Sequence, residues 1–273
     1  MKTLSGYRVI CLAQNLPGPV AASRLVGLGA EVIKVEPPQG DPLSALGELY
    51  HALTSGMKII RLDLKNEEGK REFFELLSGA DLLLTAQRPA ALERLGLGWE
   101  SLHARFPKLC FVGVVGHAPP RAEEPGHDLT YEAEAGLVFP PALPTTLVAD
   151  MGGAERAVVM SLALLFSRER GEEAQMAWVA LAQAGKDFSL PLAYGLTRPG
   201  AALSGALAEY NLYRTKDGWI ALAALEPHFS ARVREEFGES SWEARFLEKT
   251  SDEWEAWARA KDIPLAAVRE AKP

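Results

Sequence analysis

Five short apolar runs recur through the first 116 residues: YRVICLA, AEVIKVE, KIIRLDL, ADLLLTA and LCFVGVVG. They are rich in Val, Ile and Leu and read as strands. Between them, PVAASRLVGLG, NEEGKREFFELLSG and PAALERLGLGWESLHARF carry apolar residues at helical spacing and end near Gly or Pro. This alternation is a strong constraint, because parallel strands need crossover connections and the crossover helices then cover both sheet faces. The runs are apolar almost throughout, as strands buried on both sides must be. The expected fold class is α/β, with a Rossmann-like parallel sheet.

From Asp128 the alternation stops. DLTYEAEAGL and GGAERAVVMSLALLFSRERG have helical spacing, whereas AGKDFSLPLAYGLTRPGAALSG is rich in Gly, Pro and Ser. EYNLYRTKDGWIALAAL reads as a hairpin, its Asp-Gly suiting a tight turn. Thr250 and Glu253 stand at capping-box spacing before another helix. The expected organisation is a large domain over residues 1–184, a linker over 185–208 and a small α+β domain over 209–273.

Composition narrows the function classes. The 273 residues are 48% hydrophobic and 24% charged, with net charge −7, so nothing suggests a nucleic-acid-binding basic stripe. The longest apolar run, AVVMSLALLF, is about half of a membrane span. Arg8 interrupts the N-terminal apolar stretch, which argues against a signal peptide. Cys11 and Cys110 each lie in a strand-like run and are expected as buried thiols, with neither disulfide nor metal. A cytoplasmic protein is the expectation.

Several side chains could carry chemistry. Glu36 ends the second strand where a ribose-binding acid would sit, but the preceding strand-to-helix turn lacks G-x-G-x-x-G, so a structural acid is the better reading. His51, His103 and His117 are expected to be solvated. His127 follows a Pro-Gly turn and precedes a helix that Asp128 would cap. Asp150 closes TTLVAD and is either a helix N-cap or a carboxylate beside helix-end N–H groups. Glu226, in LEPHF, is either a first-turn acid or a functional one.

Six segments, LPGPVAASRLVGLGAEVIKVEPPQGDP, IRLDLKNEEGK, LERLGLGWESL, PGHDLTYEAEAGL, LVADMGG and LEPHF, follow one another in an order that resembles the family III CoA-transferases (CaiB/BaiF), a group that includes formyl-CoA transferase and α-methylacyl-CoA racemase. The GHD histidine and the EP glutamate resemble the racemase-like members. The resemblance implies that His127, Asp150 and Glu226 form the catalytic group. His127 and Asp150 would exchange the α-proton of a 2-methylacyl-CoA, with enolate donors from the helix after Asp150 and Glu226 orienting His127. It leaves two alternatives: CoA transfer between carboxylic acids through a covalent Asp150 intermediate, and a non-catalytic acyl-CoA-binding or partner subunit.

Departures fall on the nucleotide-contacting stretches. TSGMK stands where the family has an Asn-Arg-Gly-Lys-like stretch, AQRPA where it has Asn-Phe-Arg-Pro-Gly, and GHAPPRAEEP where it has a GFGQ-type loop. Lys34, Lys58 and Arg88 are the candidate phosphate contacts of CoA, which enters as part of the substrate, with no permanently bound cofactor and no metal. The resemblance also implies a homodimer, interlocked in typical members. A shortened linker and the absence of the family's C-terminal return segment are expected here.

Overall fold

The computed structural model describes residues 2–238 and 240–269. Contacts divide the chain into two compact units, Met1–Ser189 and Leu190–Pro273. In the first unit the order is β1 (Arg8–Cys11), α1 (Pro17–Gly27), β2 (Glu31–Glu36), a 3-10 turn (Pro42–Leu46), α2 (Gly47–Thr54), β3 (Lys58–Arg61), α3 (Glu67–Ser78) and β4 (Leu82–Thr85). It continues with α4 (Pro89–Leu95), α5 (Trp99–Arg105), β5 (Cys110–Val115), α6 (Asp128–Glu134), α7 (Val148–Glu169), β6 (Met176–Ala180) and α8 (Leu181–Phe188). The six strands form one sheet in the order β3-β2-β1-β4-β5-β6, and every pairing is parallel.

The two faces of this sheet follow from alternation along each strand. Val9, Cys11, Leu82, Leu84, Val112 and Val114 pack with Val20 and Leu25 of α1 and Ala154 and Ala157 of α7. Ile10, Ile33, Leu83 and Phe111 point the other way, onto Phe73, Leu77, Leu92 and Leu102. Each such fully buried Leu, Ile or Phe contributes about 1.5–3 kcal/mol relative to exposure. Both cysteines are free and buried, and burial pushes the Cys11 thiol up to about 11, so neither is poised as a nucleophile.

The sixth strand departs from the sequence expectation. No strand is expected after LCFVGVVG, because QMAWVA runs into the Ala- and Leu-rich start of α8 with no turn residue between them. Instead Phe111–Val115 pairs with Met176–Ala180, and Val179, Ala180, Leu181 and Ala184 are buried within the unit. One further strand-and-helix unit thus completes the sheet. The helical expectation beginning at Gly152 is also late by about one turn, since α7 starts at Val148.

The first strand-to-helix turn offers few N–H groups for a phosphate. Pro17 and Pro19 occupy the first turn of α1, and proline has no N–H to offer a phosphate. Gly18 is needed for another reason: a Cβ there would overlap Ala13.

The Gly-rich stretch from residue 185 is still helical to Phe188. In the second unit a short helix, α9 (Leu190–Ala193), and a 3-10 turn (Ala202–Ser204) precede the hairpin of β7 (Tyr210–Arg214) and β8 (Trp219–Ala223). The hairpin closes at the expected TKDG, where Thr215 N–H donates to the Gly218 carbonyl at 3.0 Å. Next come α10 (Pro227–Phe237), α11 (Trp242–Phe246), α12 (Ser251–Ala260) and β9 (Leu265–Ala267), which pairs antiparallel with β8. The Thr250/Glu253 capping box opens α12. Tyr213, Phe237, Trp242, Phe246 and Trp254 form this unit's core.

Candidate functional site

In open parallel sheets ligands bind outside the C-terminal ends of the strands. Here a cavity of about 300 Å³ lies beyond the ends of β1, β4 and β5, lined among others by Gln14, Asn15, Arg88, Gly116, His127, Tyr131 and Asp150. Two of the three expected catalytic residues and one expected phosphate contact therefore share one chamber. Arg88 enters as the residue preceding α4, directly after β4, and is exposed.

His127 owes its place to local geometry. It is the extended residue preceding α6, with φ −139° and ψ 167°. The Thr130 hydroxyl accepts from the His127 N–H at 3.1 Å and donates to the His127 carbonyl at 2.7 Å. One side chain thus holds both main-chain groups of the histidine. Gly126 is there for space: a Cβ would stand 2.6 Å from the Tyr131 ring. The imidazole itself is exposed at the cavity mouth.

Asp150 is the third residue of α7, not its N-cap. The capping is done by two acids from α6 at i, i+4 spacing, which places them on one helix face. Asp128 Oδ1 accepts from the Asp150 N–H at 2.8 Å, and Glu132 Oε1 accepts from the Val148 N–H at 2.8 Å. Both acids are buried, Asp128 to 4% exposure and Glu132 to 1%, and Asp128 Oδ2 is buried without a partner. Asp128 is therefore a clasp for α7, and the N-cap position of α6 expected of it is held by His127. Gly152 and Gly153 complete the arrangement, since Cβ atoms there would overlap Phe188 and Leu181 of α8.

This carboxylate cluster sets the acidity of Asp150. Burial pushes its pKa up from 3.8 to about 6, the Asp128 charge adds to the rise, His127 opposes it and Glu132 adds again. Glu132 is itself raised, by burial first, against the stabilising Val148 N–H. A carboxyl near 6 can hold or release a proton at neutral pH. Among the described residues no three His, Cys, Asp or Glu side chains are placed to hold a metal ion. The carboxylate cluster also corrects an expectation. The N–H groups of α7 were to stabilise an enolate, but those of Val148 and Asp150 are engaged by Glu132 and Asp128, and that of Met151 by the Leu147 carbonyl.

Lys34 is a second correction. It is fully buried; its Nζ lies 2.6 Å from Asp41 and 3.3 Å from Glu36, and donates to the Ala13 carbonyl. Its charge is spent inside the protein and is not available to a phosphate. Glu36 has the structural role expected of it, accepting from the Tyr50 hydroxyl at 2.8 Å. Lys58 is exposed on the edge strand β3, three strand spacings or about 14 Å from β4. A smaller cavity of about 120 Å³ lies between, with Leu12, Val35, Leu62, Lys65 and Gln87 in its wall, and it shares Gln14 with the first. Lys65 and Tyr131 are cavity residues that the sequence reading did not single out; Lys65 stands in a quoted motif, four positions after the end of β3.

Among the other histidines, His51 is exposed as expected. His117 is not solvated: it is 7% exposed, with Nε2 at 3.0 Å from Glu134. His103 is half-buried and stacked on Trp99. Glu226 lies in the second unit, exposed, at the residue preceding α10, and its side chain caps no N–H there. No helix among the described residues is long and apolar enough to cross a membrane.

Comparison with known proteins agrees with this architecture. The α-methylacyl-CoA racemase of Mus musculus is 31% identical over 258 residues, covering 88% of this chain and 66% of the relative. The succinyl-CoA–D-citramalate CoA-transferase of Chloroflexus aurantiacus is 31% identical over 265 residues, covering 87% of this chain and 65% of the relative. The chain thus spans just under two thirds of the length of these two proteins. The crystal structure of Rv3272 from M. tuberculosis superposes with a TM-score of 0.85 at 26% identity, covering 99% of this chain and 83% of that one. Residues 4–246 match the family model described as CoA-transferase family III, and the chain belongs to that family.

Proposed function

We propose that the protein acts on the thioester of an acyl-CoA, exchanging the α-proton of a 2-methylacyl group. The observation that carries this reading is the pairing in one cavity of His127 with Asp150, whose pKa lies near 6. Racemisation requires one group to remove the α-proton and another to deliver a proton from the opposite face. An imidazole and a carboxyl with a raised pKa meet that requirement at neutral pH. In each turnover the α C–H bond breaks, its proton passes to one of the two groups, and its electron pair moves onto the thioester oxygen. The other group then protonates the α-carbon. Arg88 offers the fork suited to a CoA phosphate, and the adjoining cavity with Lys65 extends the path along the sheet edge for the nucleotide end. Glu226 is assigned to the reaction by family resemblance, as the orienting partner of His127, in a homodimer.

A second reading has its own support, since the C. aurantiacus relative is named a CoA-transferase. At pH 7 a carboxyl with a pKa near 6 is mostly ionised and can attack a thioester, forming a mixed anhydride and releasing CoA thiolate. One experiment separates the readings: incubation with a 2-methylacyl-CoA in heavy water, with and without a carboxylic acid acceptor. Deuterium at the α-carbon supports proton exchange, a new thioester supports transfer, and binding with neither identifies a non-catalytic module.

A further inference from the structure

Tyr131 has the surroundings of a working group. It is 3% exposed and forms part of the wall of the His127–Asp150 cavity. Its ring is held edge-on to His117, with centroids 5.3 Å apart. Gly116 and Gly126 pass against it so closely that a Cβ on either would collide with the hydroxyl end. Buried tyrosine hydroxyls ordinarily find a partner. Tyr50 donates to Glu36 at 2.8 Å and Tyr213 to the Ala208 carbonyl at 2.7 Å. No described residue accepts from, or donates to, the Tyr131 hydroxyl.

An enolate oxygen needs a donor, and most of the first turn of α7 is already engaged. We propose that Tyr131 is a further catalytic residue, whose hydroxyl donates a hydrogen bond to the thioester oxygen as the α-proton leaves. The inference rests on the proton-exchange reading above and supplies its missing electrophile. The α C–H bond breaks, His127 or Asp150 takes the proton, and the negative charge gathers on the oxygen facing Tyr131. Tyr131 keeps its own proton throughout. Burial first, and then the Asp150 charge, raise its pKa above that of a free phenol, so the hydroxyl is a donor across the neutral range. The two glycines and His117 fix the ring before substrate arrives, and such preorganised donors are effective because they need not reorient during the reaction.

The test compares the unaltered protein with Tyr131→Phe, which removes one oxygen and leaves the ring against Gly116 and Gly126. The measured quantities are α-deuterium incorporation into a 2-methylacyl-CoA and binding of a 2,2-dimethylacyl-CoA, which has no α-proton to lose. The expected result is a fall in kcat of about 10²–10³-fold, the cost of one oxyanion donor, with binding of the inert thioester within about threefold and an unchanged melting temperature. A kcat within threefold of the parent overturns the inference alone, as does a parallel loss of binding. No exchange by the unaltered protein overturns the proton-exchange reading, and the inference with it. Should the Phe variant not fold, 3-fluorotyrosine at position 131 provides the second arm, because it is a stronger donor of the same shape. A raised exchange rate supports the role, and an unchanged one overturns it.

Discussion

Asp128 holds Asp150 through the backbone: Oδ1 of the first accepts the amide N–H of the second at 2.8 Å. The same contact that places the Asp150 carboxyl at the cavity also sets a negative charge beside it, and that charge is the largest contribution to its raised pKa after burial. Geometry and acidity therefore have a common source.

Asp128→Asn separates the two, because the amide oxygen still accepts from Asp150 while the charge is gone. The Asp150 pKa should fall below about 6. For the epimer whose proton Asp150 removes, the acid limb of kcat/KM should move to lower pH, raising the rate at pH 5 by about two- to fivefold. Asp128→Ala should lose the cap as well and cost about 0.5–2 kcal/mol by urea titration. An acid limb unmoved in Asp128→Asn would dissociate the charge from the acidity.

Asp150→Asn should stabilise the protein at neutral pH. The folded pKa, about 6, lies above the ordinary 3.8, so the stability associated with this group is complete below 3.8 and is lost as pH rises through 6. An uncharged Asn escapes that loss. The gain should be about 1–3 kcal/mol at pH 8, discounted for partial solvent screening, and should vanish near pH 4. Chemical denaturation at the two pH values measures it, and a variant less stable at pH 8 would contradict the cause assigned to the shift.

The two-base assignment predicts opposite biases. His127→Ala should suppress α-deuterium exchange far more from one epimer than from the other, and Asp150→Asn should reverse the preference. Chiral analysis of the recovered thioester gives both rates. Equal losses for both epimers in both variants are incompatible with one group serving each face.

Lys34 and Arg88 should respond differently to loss of charge. Lys34→Met leaves Asp41 and Glu36 buried without their cation, which costs about 3–5 kcal/mol and lowers the urea midpoint. Arg88→Ala should leave stability unchanged within about 0.5 kcal/mol and raise KM for the CoA thioester. A selective KM effect in a fully stable Lys34→Met protein would reinstate Lys34 as a phosphate contact.

Glu226 can be tested by complementation. A His127→Ala chain mixed with a Glu226→Ala chain should regain part of the exchange activity if the site is shared between two copies, and a fully active monomer by sedimentation would rule sharing out.

Strands buried on both faces announce themselves, and β1, β2, β4 and β5 are legible for that reason, whereas the exposed edge strand β3 is legible from its β-branched Ile59 and Ile60. Trp178 and its alanine neighbours run without punctuation into α8, so β6 is masked by the helix that follows it. His127 and Asp150 are legible from their motifs, whereas the partners that tune them are not. Asp128 and Glu132 sit at i, i+4, a visible signal, but their acceptors meet N–H groups on a helix that begins beyond a loop. Lys34 looks like any strand lysine until the chain after β2 brings Asp41 to it. What a local pattern misses in each case is a bond between elements.

The connection from β5 to β6 carries more than a crossover. Residues 116–175 contribute His127, Tyr131 and Asp150, together with the acids that tune Asp150, all before the strand that closes the sheet edge has been synthesised. Single domains generally consolidate as units, and large chains do so from the N-terminus as they emerge. The reactive groups of this chain are therefore made before β6 can dock and α8 can meet Gly152 and Gly153. On the ribosome, completion of the cavity wall waits on the exit of residues 176–188, and a nascent chain halted before them would carry His127, Tyr131 and Asp150 without Leu181 to close the wall beside them.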